Sequence, residues 1–239
     1  MRKCIVEHGK AMVKCVLSRV CGVRKAHVKT HFLISFRTIL HKQLIDHRSQ
    51  LPVLINYLGL AGMGVEIGVW RGVFSYWLLK NSNLAVLYSV DPWMKYSMSI
   101  YDEQINNQSQ DAYDESYRAS CELLKEFGKR SVIIRKTSRE AADQLLETTL
   151  DFIYIDANHS YSQCKQDLNI WWSKVRDGGI FAGHDYMDAV LPQGNYAVKK
   201  AVDEFVLEKR QVLSVTKEDY PSWYIIKRSW AEDAGMRTL

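Results

Sequence analysis

Residues Asp151–Tyr161 read DFIYIDANHSY, and how this run is placed decides the fold. Phe152–Ile155 are four consecutive apolar residues, rich in β-formers, between two acids. Such a run suits a strand buried on both faces, as in a parallel sheet covered by helices. It stops on Asp156 and, three residues later, His159, both groups that burial penalises. In doubly wound sheets ligands collect beyond the C-terminal ends of the strands. Asp156 and His159 are therefore expected where the sheet ends and a binding crevice begins.

Working outward, the chain alternates from Gly62 onward. GMGVEIG is read as a strand, WRGVFSYWLLK as a helix, AVLYSVDP as a strand and DAYDESYRASCELLKEFGK as a helix with Tyr113, Tyr117, Cys121, Leu124 and Phe127 at helical spacing. SVIIRK is the third strand. Thr137-Ser-Arg-Glu140 has the capping-box form that starts a helix, here running to about Glu147. After LDFIYID come a helix through SYSQCKQDLNIWWSKV, with Ser160 as its cap, a strand GGIFAGHD and a helix through NYAVKKAVDEFVLEK. QVLSVTK and SWYIIKR are too close together for a crossover helix and are expected to pair antiparallel. The fold class is α/β: a doubly wound sheet of about seven strands, mostly parallel with a C-terminal antiparallel hairpin, and helices on both faces.

The 239 residues have room for one sizeable core and are short for two full domains. The net charge of +5 is unevenly placed, because residues 1–48 hold 11 Lys/Arg against two acids. Residues 1–50 are read as a basic, helical appendage and 51–239 as the main domain. The appendage is a candidate contact for an acidic partner, an acidic lipid surface or a second copy, and nucleic acid is not the expected partner. A solvated helix packed on the main domain explains the same pattern. Its five histidines lack a tight ligand spacing. Five cysteines without a C-x-x-C pair argue against a disulfide framework or a structural zinc site, so a reducing, cytoplasmic setting is expected. No apolar run approaches the roughly 20 residues that cross a bilayer.

Glu66-Ile-Gly68-Val-Trp-Arg-Gly72 lies where the first strand passes into the first helix, and glycines there permit a tight turn and close approach of a ligand to backbone amides. The spacing is not the G-x-G-x-x-G of dinucleotide folds. Asp91 ends the second strand, 25 residues after Glu66, where doubly wound folds set an acid against ribose hydroxyls. Asp156 and Asp185 end the fourth and fifth strands and would converge with His184 in one crevice, a donor set suited to a divalent cation. His159 has the chemistry of a proton acceptor near neutral pH. Trp171, Trp172, Trp223 and Tyr224 are read as core, and Trp93, Met94 and Tyr96 as pocket lining.

Taken together, GVEIGVWRG, YSVDPW, IDANHSY, DLNIWWSKVRDGG and GHDY resemble the class I S-adenosylmethionine (SAM)-dependent methyltransferases, in the branch with I-D-x-x-H-S-Y and G-G-x-x-x-G-H-D-Y. The likeness covers about Pro52 to Lys227 and implies a Rossmann-like fold. It implies that Glu66, Gly68 and Gly72 hold the amino-acid end of the cofactor, Asp91 its ribose and Ser138 the neighbourhood of the adenine, with Asp156 also facing the cofactor. Metal-dependent O-methyltransferases similar to this branch set acids after strands four and five around Mg²⁺, which implies Asp156, His184 and Asp185 as metal ligands here. An acid or amide is more usual than His184, a departure that leaves the metal requirement open. His159 takes the place of the lysine that removes the substrate proton in the catechol type. The expected function is SAM-dependent methylation of a hydroxyl on a small molecule or glycan, assisted by Mg²⁺ or another divalent cation. A hydroxylase-like activity on the same fold, or cofactor binding without catalysis, are the rival readings.

Overall fold

The computed structural model describes residues 43–97, 103, 108–192 and 194–229. The basic helices expected before residue 43 lie outside the described residues. The elements are α1 (Leu51–Tyr57), β1 (Met63–Ile67), α2 (Val73–Asn81), β2 (Val86–Val90), α3 (Gln110–Leu124), β3 (Ser131–Ile134), α4 (Ser138–Ala142), β4 (Leu150–Ile155), α5 (Tyr161–Trp172), β5 (Val175–Gly183), β6 (Asp188–Leu191), β7 (Gly194–Ala197), α6 (Val198–Lys209), β8 (Ser214–Val215) and β9 (Trp223–Ile226). A seven-stranded sheet runs in the order β3-β2-β1-β4-β5-β9-β8. Strands β1 to β5 pair in parallel, while β9 runs antiparallel to both β5 and β8. This is the Rossmann-like architecture expected from the alternating pattern, closed by the expected C-terminal antiparallel pair.

Strand β4 is central, and its residues alternate between two cores. Ile153 packs with Val65, Phe181, Leu168, Trp171 and Phe205 on the face covered by α5 and α6. Phe152 and Tyr154 pack with Leu54, Ile55, Leu78, Leu79 and Tyr224 on the face covered by α1 and α2. Each fully buried large side chain contributes roughly 1.5–3 kcal/mol by leaving water, so a continuous apolar run is stable only where both sheet faces are covered. Trp171, Trp223 and Tyr224 are core residues, as read from their positions.

Three local expectations are corrected. The helix capped by Thr137 has its capping box but stops at Ala142 rather than near Glu147, with Leu145 beyond it packed on the core and Leu146 exposed. The helix expected from Asn195 starts at Val198, because residues 194–197 pair with 188–191 in a separate two-stranded hairpin, β6–β7. Ser160 holds the N-cap position of α5 without a side-chain capping bond.

Residues 43–50 pack on the domain: Ile45 is buried, the Leu44 amide donates to the Tyr224 hydroxyl (2.9 Å), and the Arg48 amide donates to Glu218 (3.0 Å). Among the described residues no helix is long and apolar enough to cross a membrane.

Candidate active site

The C-terminal ends of β1, β2 and β4 lie side by side because the three strands are paired in register, Ile67 against Val90 on one side and Ile155 on the other. The chain leaving β1 must turn at once. Gly68 does so at φ +85°, with its own Cα hydrogens against the Asp156 carbonyl, while its amide donates to Val90 O (2.9 Å). Gly72 then starts α2 in the left-handed region (φ +78°).

Asp91 holds this turn from the end of β2. Its Oδ2 accepts from the amides of Val69 (3.0 Å) and Trp70 (2.9 Å), and its Oδ1 from Trp93 N (2.7 Å). Burial raises the Asp91 carboxyl, against the lowering effect of those three amides. The Trp70 carbonyl is held in turn by Trp93 Nε1 (2.7 Å) and Ser120 Oγ (2.9 Å). Glu66 lies beneath the turn and is buried. Burial pushes its carboxyl up to about 8, with the hydrogen bond from Ser75 pulling the other way, so it carries a proton at neutral pH.

Beyond the turn is a cavity of about 1060 Å³. Glu66, Gly68, Asp91, Ser138, Asp156 and His159 all line it, as do Trp93, Met94 and Tyr96. Gly72, His184 and Asp185 are not among its lining residues, although His184 and Asp185 adjoin Asp156. At the α4–α5 end, Ser138 Oγ donates to Asp167 and accepts from Trp171 Nε1 (2.8 Å). Burial pushes Asp167 up to about 6, against the Ser138 hydrogen bond.

The Asp167 shift predicts a pH effect on stability. In the unfolded chain the group ionises near 3.8. As pH rises from about 4 to 6 the unfolded state releases its proton first, so stability falls, and a cost of roughly 3 kcal/mol persists above that window. Asp167→Asn keeps an acceptor for Ser138. It is expected to be about 2–3 kcal/mol more stable than wild type near neutral pH and equal to it near pH 4. Urea unfolding at both pH values measures this, and an equal difference at the two would rule out titration of Asp167 as the cause.

At the other end stand the charged groups. His159 Nδ1 contacts Glu103 Oε2 (2.8 Å), and the His159 amide donates to Glu103 Oε1 (2.8 Å). His159 Nε2 lies 2.9 Å from Asp185 Oδ2 and 3.7 Å from Asp156 Oδ1. Burial alone would lower the imidazole pKa. The contacts with Asp156, Asp185 and Glu103 outweigh it and hold the ring protonated, well above its ordinary range. Carboxylates thus face both nitrogens of the ring that sequence position alone offers as a proton acceptor. Burial alone would likewise raise Asp185, but His159 and His184 hold it well below the usual carboxylate range. Asp185 sits at φ +51°, an uncommon backbone region for a non-glycine residue, of the kind that functional sites impose.

Position in the chain alone did not reveal several lining residues. Arg48, from the segment before the main domain, places Nη1 3.5 Å from Asp156 Oδ2 and its guanidinium 5.4 Å above the Phe74 ring. Glu103 lies in the polar connection before α3, without periodicity to mark it. Tyr196, on β7, stacks on the His159 ring (centroids 4.6 Å apart). Trp70, Phe74 and Trp77, four and three residues apart around the start of α2, carried the one signal in the sequence, an aromatic density at helical spacing.

A family described as a methyltransferase domain matches residues 65–186, the span from β1 to the residue after Asp185. The chain belongs to this family. The methyltransferase domain therefore contains the glycine turn, Asp91, Asp156, His159 and Asp185, while Arg48 and Tyr196 come from outside the matched span. Solved structures with the same fold include a putative O-methyltransferase from Klebsiella pneumoniae (14% identity over 90% of both chains, TM-score 0.51). An O-methyltransferase from Bacillus cereus in complex with SAH is 13% identical, over 90% of this chain and 97% of the other (TM-score 0.51). The O-methyltransferase TomG from Streptomyces achromogenes, in complex with SAM, is 14% identical over 76% of this chain and 79% of that one (TM-score 0.51). No curated protein sequence matches the chain.

Proposed function

We propose that this methyltransferase domain uses SAM to methylate a hydroxyl oxygen of a small-molecule or glycan acceptor. The observation that carries this reading is that one cavity joins the Gly68–Asp91 turn to the Asp156–His159 cluster. Gly68 lines the cavity at the turn, and Asp91 and the Ser138–Asp167 pair offer acceptors for ribose and adenine. When bound, SAM supplies a methyl group on a cationic sulfur that departs as a neutral thioether.

The chain's task is then to position the acceptor and take up its proton. Asp156 is assigned as the proton acceptor in place of His159. It lines the cavity and is partly exposed, whereas His159 already holds its proton. Arg48 and the Trp70, Phe74 and Trp77 rings wall the same space and suit an acceptor with a flat apolar face.

Asp156, His184 and Asp185 fit a divalent cation, since each offers a ligand atom and these atoms lie within 4.8 Å of one another. Such an ion, when bound, lowers the pKa of a coordinated hydroxyl.

The test incubates the protein with SAM and a panel of phenols, catechols and sugars, with and without Mn²⁺, and reads product mass. Addition of one methyl group is the expected result. Asp156→Asn is expected to lower turnover about 100-fold or more while SAM affinity by calorimetry stays within about threefold. SAM binding without transfer to any acceptor would favour a non-catalytic role, and a product heavier by one oxygen would favour the hydroxylase reading.

A further inference from the structure

We infer that Arg48 is a specificity-determining residue that pairs with a carboxylate on an aromatic, hydroxyl-bearing acceptor. This names the acceptor class for the methylation reading above and rests on it.

The first support is a cation held firmly with capacity to spare. Arg48 lines the cavity, and its side chain is 35% exposed. Among the described residues Asp156 is its one ion-pair partner, through Nη1 at 3.5 Å. A firm guanidinium–carboxylate pair closes to about 2.7–2.9 Å and is commonly bidentate, so this contact is loose. The Tyr154 hydroxyl also adjoins the guanidinium. One long contact and one hydroxyl do not fill a fork of five N–H donors.

The looseness is not slack in the chain. The Arg48 amide donates to Glu218 (3.0 Å), Trp77 Nε1 donates to the Ser49 carbonyl (2.9 Å), and His47 and Gln50 close a capping box around the same turn. The guanidinium stands 5.4 Å from the Phe74 ring centroid, within cation–π range. Its backbone and side chain are thus set before a ligand arrives, which lowers the entropic cost of binding.

The second support is the wall around it. Trp70, Phe74 and Trp77 line the cavity with Arg48. Trp70 stands at φ +51°, an uncommon region for a bulky residue. Its amide donates to Asp91, and its carbonyl accepts from Trp93 Nε1 and Ser120 Oγ. The residue is nonetheless 48% exposed. Backbone strain maintained at a half-exposed indole points to a surface kept for a ligand, and a flat ring is what an aromatic wall packs best.

The third support is reach. Asp156, assigned above as the proton acceptor, lies beside Arg48. Hydrogen bonds of about 2.8 Å on either side of their 3.5 Å contact let an acceptor's hydroxyl and carboxylate oxygens stand up to about 9 Å apart. The ortho, meta and para hydroxybenzoates all meet this limit. Arg48 also precedes residues 65–186, so the charge is one that the matched methyltransferase span does not supply.

The test measures binding of the three hydroxybenzoates and of the matching hydroxybenzamides by calorimetry, with and without SAH, and methyl transfer from SAM to each. The amide keeps the ring and the hydroxyl and removes the charge. Wild type is expected to bind at least one acid about tenfold or more tighter than its amide. Arg48→Met should bring that ratio to about one, and Arg48→Lys, which keeps the charge without the fork, should give an intermediate ratio. A merely structural pair with Asp156 would weaken acid and amide alike and leave the ratio unmoved. The wild-type comparison needs no variant, so a misfolded Arg48→Met would not block it. Equal affinity of wild type for acids and amides, no binding of any acid, or an unchanged ratio in folded Arg48→Met would each overturn the inference. An acid preference that Arg48→Met abolishes, without methyl transfer to any acid, would keep the carboxylate site and count against the methylation reading. Methyl transfer to acids and amides of equal affinity would do the reverse.

Discussion

Gly68→Ala is expected to cost about 4–5 kcal/mol or more, at the extreme end for a single substitution, and to abolish SAM binding in whatever protein remains folded. A Cβ built at this position stands 1.8 Å from the Asp156 carbonyl oxygen and 2.6 Å from its carbon. Those atoms are backbone, so no rotamer change relieves the overlap. The strands themselves would have to separate, breaking the bonds from Gly68 N to Val90 O and from Asp156 N to Ile67 O (2.8 Å). The unfavourable φ adds a smaller penalty, and the two effects can be separated. Gly59 also has positive φ (+69°) but nothing within 4 Å of an added Cβ, so Gly59→Ala is expected to cost only about 1 kcal/mol. Urea unfolding of both variants measures the difference. Comparable small losses would mean that the ends of β1 and β4 do not meet closely.

Asp91→Ala is expected to lower SAM affinity about 100-fold or more and stability by about 2–3 kcal/mol. The carboxylate takes three backbone amides at 2.7–3.0 Å, and removing it leaves donors on Val69, Trp70 and Trp93 without that acceptor. Relief of the buried charge offsets part of the loss, because burial already raises the group's pKa. Asp91→Asn restores one acceptor but turns an amide N–H₂ toward backbone donors, so it should recover stability only partly and SAM affinity hardly at all. Calorimetric titration with SAM, on variants shown to be folded by circular dichroism, measures both effects. Wild-type affinity in folded Asp91→Ala would remove Asp91 from the cofactor site.

The sequence made the sheet legible because its strongest signals are local. Phe152–Ile155 is apolar on consecutive residues, which suits a strand covered on both faces, and the acids and glycines that end β1, β2, β4 and β5 mark where apolar burial stops. A parallel sheet brings those ends to one edge, so Glu66, Gly68, Asp91, Asp156 and His159 could be grouped from chain order alone. Their grouping in one cavity follows from that topology.

What the sequence by itself determined is therefore the alternating α/β order, the central buried strand and the list of polar residues at the strand ends. Only the tertiary structure decided what those residues can do. His159 reads as a free base until Glu103, from an unpatterned connection, and Asp185, from a neighbouring strand, are found against its two nitrogens. Arg48 reads as one more charge in a basic segment until residues 43–50 fold back onto the domain and set it beside Asp156. Periodicity reports which face of an element is buried, because burial is a property of the element. A protonation state or a ligand set depends on charges brought within a few ångströms from distant parts of the chain, and no local pattern records those distances.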